Sequence, residues 1–273
     1  MISESGEVIV VTSGKGGVGK TTISAHIGTG LAELGKRVLL VDTDIGLRNL
    51  DILLGLENQV VYHLLDAVEE KCSIEQAVIA DKRRENLFLL PSAQTRRKED
   101  VSPEQMAALT GELKRQYDYV ILDCPAGAEQ GFYNAIAGAE RAVIVTTPDI
   151  AAVRDADRIF GILEENKIRR CDLIINRIHP DLTEKKLMLS KEEIEELIPI
   201  DIIGIVPEDD AVLIAAGKGT PLSKDASPAG TAFYNISRRI TGEDVPFPVL
   251  KSEPEKKKKR FSFFKRKNRQ TDL

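Results

Sequence analysis

Nine consecutive residues carry the most specific chemistry in this chain: Gly14-Lys15-Gly16-Gly17-Val18-Gly19-Lys20-Thr21-Thr22. Gly14, Gly19, Lys20 and Thr21 satisfy the spacing GxxxxGK[ST], and each residue type has a physical reason to be there. Glycines let successive backbone N–H groups curl round phosphate oxygens without Cβ clashes, and the amino end of the following helix adds a positive dipole. Lys20 supplies a point charge for the β- and γ-phosphates, and the Thr21 hydroxyl suits Mg2+ ligation. Gly14, Gly16 and Gly19 also fit GxGxxG, with Asp42 about where a ribose-binding acid would stand. The Lys20-Thr21 pair decides against that reading, because a dinucleotide pyrophosphate gains little from it.

The acids come next. Val41-Asp42-Thr43-Asp44 closes one aliphatic run, and Tyr119-Val120-Ile121-Leu122-Asp123 closes another. In a doubly wound sheet, carboxylates at strand carboxyl ends face the ligand crevice. Asp123 therefore reads as a Mg2+ ligand, direct or through water. Asp42 reads either as a group behind the metal or as a structural turn acid, and Asp44 as the group that orients an attacking water. Ile174-Ile175-Asn176-Arg177 ends a further run, and an Asn offers the acceptor and donor that the N6/N7 edge of adenine requires. Val206-Pro207-Glu208-Asp209-Asp210 ends the last run and is placed to meet a base through its backbone. Both are also ordinary strand-end turns. Cys72, Cys124 and Cys171 lack metal-site spacing, with Cys124 read as a small buried filler, and His26, His63 and His179 show no pattern.

These residues need a scaffold that presents strand ends to one crevice. Apolar runs at Val8–Val11, Val38–Val41, Leu87–Leu90, Tyr119–Leu122, Ala142–Val145, Leu173–Ile175 and Ile202–Val206 are continuous rather than alternating, as in parallel strands covered on both faces. Helical patterns at Lys20–Leu34, Pro103–Gln116, Ile150–Glu165, Lys191–Leu197 and Pro228–Ile240 separate them. The expected fold is α/β, a doubly wound, mostly parallel sheet with helices on both faces, over residues 1–241. A flexible linker is expected over 242–255, where Gly242, Pro246, Pro248 and Pro254 interrupt any periodicity.

Charge is distributed unevenly. The 273 residues carry a net −5, yet residues 251–273 hold seven Lys and three Arg against Glu253, Glu255 and Asp272, leaving the first 250 residues at −12. Such a globule repels nucleic acid, so no specific nucleic-acid partner is expected. The segment 256–273 mixes Lys258, Lys259, Arg260 and Lys265 with Phe261, Phe263 and Phe264, the signature of a membrane-surface anchor. Each basic residue near anionic lipid contributes ~1 kcal/mol and each buried Phe roughly 1.5–3 kcal/mol. Phe263 lies at the margin of the face shared by Phe261 and Phe264, so the apolar stripe is about one turn long and charge dominates. A nucleic-acid tail is the competing reading, and the adjacent Phe residues favour lipid. No run is long and apolar enough for a membrane span, and the acidic start of the chain has no secretory character; a cytoplasmic, reduced protein is expected.

Lys15, directly after the first glycine, is not required by the general pattern, and a solvated loop lysine is its plain alternative. With it, GKGGVGKTT resembles the deviant Walker A loop of the MinD/ParA family of ATPases, and Asp44-Ile45-Gly46-Leu47-Arg48-Asn49-Leu50-Asp51 is similar to the septum-placing branch of that family. The resemblance implies a slow, partner-stimulated ATPase using ATP and Mg2+. Lys15 would reach the phosphates bound by the other subunit of an ATP-dependent homodimer, so that Lys15, Lys20 and Asp44 carry hydrolysis. Gly127 would be the switch glycine that senses the γ-phosphate, and Asp155 a partner-binding residue, with a solvated helix acid as the alternative. Partners implied are a MinC-type division inhibitor, a MinE-type regulator and anionic lipid, with reversible residence on the inner face of the cell membrane. Flagellar-placement and ParA-type chromosome-partition ATPases share the loop and stand as alternatives.

Overall fold

The computed structural model describes residues 5–248. The basic-aromatic segment 256–273 and the end of the expected linker lie outside the described residues. The strands are β1 (Glu7–Thr12), β2 (Val38–Asp42), β3 (Ile79–Ala80), β4 (Leu87–Leu90), β5 (Tyr119–Asp123), β6 (Arg141–Thr146), β7 (Arg170–Ile178) and β8 (Asp201–Pro207). The helices are α1 (Lys20–Glu33), α2 (Leu50–Leu54), α3 (Leu64–Val68), α4 (Ile74–Ala77), α5 (Pro103–Leu113), α6 (Gln130–Ile136), α7 (Ile150–Glu165), α8 (Pro180–Glu184), α9 (Lys191–Leu197), α10 (Asp210–Gly217) and α11 (Pro228–Ile240).

Among the described residues these strands form one sheet in the order β3-β4-β2-β5-β1-β6-β7-β8. All neighbours are parallel except β3 and β4, which run antiparallel at the edge. Winding reverses around the central β1: the chain moves outward through β2 to β4, returns as β5, and crosses to β6, β7 and β8. A reversal of this kind opens a crevice outside the strand carboxyl ends.

Continuous apolar runs are explained by two cores, one on each face. Val8, Val10, Leu39, Val41, Val120 and Leu122 enter the core shared with α5, α6 and α7. Their neighbours Ile9, Val11, Val38, Leu40 and Ile121 enter the core shared with α1 and α11. Alternate side chains of one strand thus fill opposite cores, which leaves no polar face.

Three helices begin and end as the sequence predicts, because local caps set their amino ends. Asp149 accepts from the Ala152 N–H at 3.0 Å to start α7, Ser190 from the Glu193 N–H at 3.2 Å to start α9, and Ser227 from the Gly230 N–H at 3.2 Å to start α11. The expected linker is a correction at its amino-terminal half. The Arg239 guanidinium donates to the carbonyls of Val245 (2.9 Å), Pro246 (3.0 Å) and Ile203 (3.0 Å) and lies 4.2 Å from the centre of the Phe247 ring. Residues 245–247 are therefore strapped to the globule.

Candidate nucleotide site

The phosphate loop leaves β1 at Ser13 and enters α1 at Lys20. Gly19 sits at φ 101°, a left-handed conformation that turns the chain into the helix. A Cβ on Gly19 would also lie 2.4 Å from the Asn176 amide nitrogen. Gly14 is constrained by space rather than by conformation: its Cβ would meet the Asp155 carbonyl oxygen at 2.3 Å. Gly17, Gly19, Lys20, Thr21, Thr22, Asn49, Ile52, Leu53 and Arg177 line an open cleft of about 350 Å³ above the loop. Gly16 and Lys15 are exposed at its rim, while Val18 and Lys20 are buried.

The sheet register places Asp42 directly opposite Asp123. Both are almost wholly buried, with exposures of 1% and 2%. Asp123 accepts from the Ser24 hydroxyl at 2.8 Å and from the Thr21 hydroxyl, with Lys20 close enough for its charge to be felt. Burial raises the Asp123 carboxyl well above the ordinary range despite those donors, and the Asp44 charge adds to the shift. Burial and the Asp123 charge likewise push Asp42 up, against three backbone N–H donors. Two acids that resist ionisation side by side, next to a threonine hydroxyl at the mouth of a phosphate loop, fit a divalent cation held against a phosphate.

Several predicted residues have different neighbours from those expected. Asp42 is braced by backbone: Oδ1 accepts from the Asp44 N–H at 3.0 Å, and Oδ2 from Asn49 and Leu50 at 3.1 and 3.2 Å. Both oxygens therefore shape the loop over 44–50. Asn176 donates its amide to the Val18 carbonyl at 2.8 Å, so this donor supports the phosphate loop. Arg177, Pro207, Glu208 and Asp209 do gather, with Thr22, Val212 and Leu213, around a crevice beside α1. Within it Asp209 caps α10 and α11 by accepting from the N–H groups of Ala211 (2.9 Å) and Ala229 (3.2 Å). Burial opposes its charge, yet the Ser227 hydroxyl and those N–H groups hold its carboxyl below the usual range. The Gly127 N–H donates to the Ser13 carbonyl at 3.1 Å, which ties the exit of β5 to the phosphate loop.

Two residues escaped the sequence reading. Ser24 lies one helical turn beyond Lys20 on α1, and this spacing is a usable signal for a hydroxyl facing the same crevice. His26 is a correction, because it is not incidental: it stacks on Phe233 at 4.0 Å, its Nδ1 bonds the Thr22 carbonyl at 2.7 Å, and its Nε2 accepts from the Leu222 N–H at 3.1 Å. With Nδ1–H donating and Nε2 accepting, the ring is neutral, and burial lowers its pKa to about 4. Cys124 is buried as expected, and burial raises its thiol to about 12.

Comparison with known proteins agrees with this geometry. The model of the CobQ/CobB/MinD/ParA nucleotide binding domain matches residues 9–222. The chain is 53% identical over 251 residues to the septum site-determining protein MinD of Bacillus subtilis, covering 91% of this chain and 94% of that protein. It is 51% identical over 242 residues to the Synechocystis protein of that name, covering 88% and 91%. Among solved structures it superposes on the MinC:MinD cell division protein complex of Aquifex aeolicus with a TM-score of 0.83 and 44% identity, covering 89% of this chain and 98% of that one. It superposes on Pyrococcus horikoshii MinD complexed with Mg-ADP with a TM-score of 0.78 and 27% identity, covering 86% and 95%. A phosphate loop of this sequence on this sheet, matched over nine-tenths of its length, places the chain in the septum site-determining MinD family of nucleotide-binding ATPases.

Proposed function

We propose that this protein is a Mg–ATP-dependent switch that places the division septum. In this reading it dimerises around ATP, recruits a MinC-type inhibitor, cycles on and off the membrane and answers to a MinE-type regulator. The observation that carries the reading is the convergence of Lys20, Thr21, Ser24 and Asp123 at the amino end of α1, with Asp42 and Asp44 at the neighbouring strand end. Lys20 and the backbone N–H groups of the loop would hold the phosphates. Thr21 and Asp123 would hold Mg2+, whose chemistry there is to neutralise phosphate charge. Asp44 would orient the attacking water. Lys15 stands exposed on the loop, within electrostatic range of Asp149, and is free to reach a second copy. A cation supplied from the partner would make hydrolysis conditional on dimerisation and keep intrinsic turnover slow.

Membrane cycling follows from the basic-aromatic segment 256–273. One such segment binds anionic lipid weakly, and two on a dimer gain avidity of about 10²–10⁴. No helix among the described residues is long and apolar enough to cross a membrane. The MinC-type partner is supported by the Aquifex aeolicus relative solved as a MinC:MinD complex. The test is sedimentation of the full chain with anionic vesicles, with ATP or ADP, alongside a chain lacking 256–273. ATP-dependent co-sedimentation that vanishes with the segment while ATP binding persists is the expected result; equal sedimentation with ADP overturns it.

A further inference from the structure

A 3-10 turn at Lys98–Asp100 touches both the loop after β2 and helix α6. On one side Lys98 Nζ stands 3.7 Å from Asp44 Oδ1. That oxygen is buried and makes no hydrogen bond. On the other side the Lys98 carbonyl accepts from the Asn134 side-chain amide at 3.0 Å, and the same amide donates to the Val101 carbonyl at 2.9 Å. Asn134 is 3% exposed, and Gln130 donates to its Oδ1 at 2.8 Å. The Lys98 stem lies over Gly131, where an added Cβ would come within 3.1 Å of its Cδ. The turn is closed by Arg96, whose Nε donates to Asp100 at 2.9 Å and whose guanidinium also pairs with Glu69.

The base of this lysine is therefore fixed to α6, and its ammonium reaches the loop after β2. Asp42 is fastened by three backbone donors, whereas Asp44 Oδ1 accepts no hydrogen bond. Among the described residues, Lys98 is the cation that pairs with the Asp44 carboxylate. A buried oxygen with no donor is unfavourable unless a cation compensates it.

We infer that Lys98 is a positioning residue for hydrolysis: it holds one Asp44 oxygen so that the other is presented to the water, and it ties that orientation to α6, three residues beyond the Gly127 switch. This rests on the reading of Asp44 given above. A misdirected carboxylate lowers the rate of the chemical step and leaves nucleotide binding intact, because Lys98 lines none of the phosphate cleft.

The experiment is phosphate release by the full chain with saturating Mg2+ across an ATP titration, for the wild type and for K98M, K98R, K98Q, D44N and the D44N/K98M pair. K98M and K98Q are expected to lower kcat about tenfold with KM within twofold, and K98R to recover most of the loss. D44N is expected to lower kcat at least as far, and adding K98M to it to cost nothing more. Melting curves within 2–3 °C of wild type accompany these outcomes, since Lys98 is partly exposed. Wild-type kcat in K98M beside a disabled D44N overturns the inference and leaves the Asp44 reading standing. Wild-type kcat in D44N overturns the Asp44 reading itself. A raised KM at unchanged kcat, or an equal loss in K98R and K98M, also overturns the positioning role.

Discussion

Gly14 and Asp155 meet backbone to backbone: the space for a side chain on the first glycine of the phosphate loop is filled by the Asp155 carbonyl, 2.3 Å from where a Cβ would stand. The loop is therefore packed directly against α7. Asp155 meets the phosphate loop through its main chain and Cβ rather than through its carboxylate. The neighbouring Asp149 caps the same helix and feels the charge of Lys15.

The first prediction follows from that contact. Gly14→Ala must push the loop off α7 or distort it, at a cost of about 1–3 kcal/mol in stability. ATP affinity should fall about tenfold or more, ~1.4 kcal/mol, because the N–H groups lose their common focus. Fluorescent-nucleotide titration and a melting curve check both, whereas Gly16→Ala, which meets open space, should leave the melting temperature nearly unchanged.

The second concerns protons at the acid pair. Asp42 and Asp123 have raised carboxyl pKa values in the fold, by burial first and by mutual repulsion or neighbouring charge after it. A raised acid contributes stability below the unfolded carboxylate value, and that contribution disappears as pH rises toward neutrality. A bound divalent cation reverses the preference, so Mg–ATP should expel protons and bind more tightly as pH rises from about 5.5 to 7.5. Ser24→Ala removes a donor to Asp123 and should move that dependence to higher pH. Isothermal titration in two buffers of different ionisation enthalpy reads the proton release; zero release sinks the idea.

A third prediction isolates His26, whose pKa is lowered to about 4 by burial. Its neutral form is favoured in the fold, so its contribution is complete above the unfolded value near 6.5. It is lost as pH falls toward 4, by ~3 kcal/mol at most. Denaturant melts of wild type and His26→Gln should diverge above pH 6.5 and converge toward pH 4. Parallel curves would show that the ring does not titrate as described.

Fourth, Arg239→Met removes three carbonyl contacts and the stacking on Phe247. The strap over 245–247 should open, with a melting temperature lower by about 2–4 °C per kcal/mol lost. Limited proteolysis followed by mass spectrometry should detect faster cleavage near Pro246 and Pro248. Unchanged cleavage would mean that the guanidinium is not what holds the segment.

Much of the scaffold is legible in the chain itself. Seven strands stand where continuous apolar runs predict them, because a strand covered on both faces needs no polar positions. Helices α7, α9 and α11 match to the residue, since Asp149, Ser190 and Ser227 announce their own amino ends. No helix is expected at α2, α6 or α10, whose five to eight residues span too few turns for a period to stand out by itself. The edge strand β3 is two residues long and exists only through its pairing with Leu89 and Phe88.

The site divides along a different line. Residue type and spacing alone pointed to a phosphate loop between Gly14 and Thr22 and to acids at the ends of β2 and β5, because this pattern is carried by neighbours in sequence. Only the tertiary structure decided that Asn176 braces Val18, that Asp209 also reaches the start of α11, that His26 bolts α1 to the 222 segment, and that Lys98 faces Asp44. Each of these contacts joins residues distant along the chain, and the direction of a side chain across such a gap depends on how the elements pack, which no local pattern encodes.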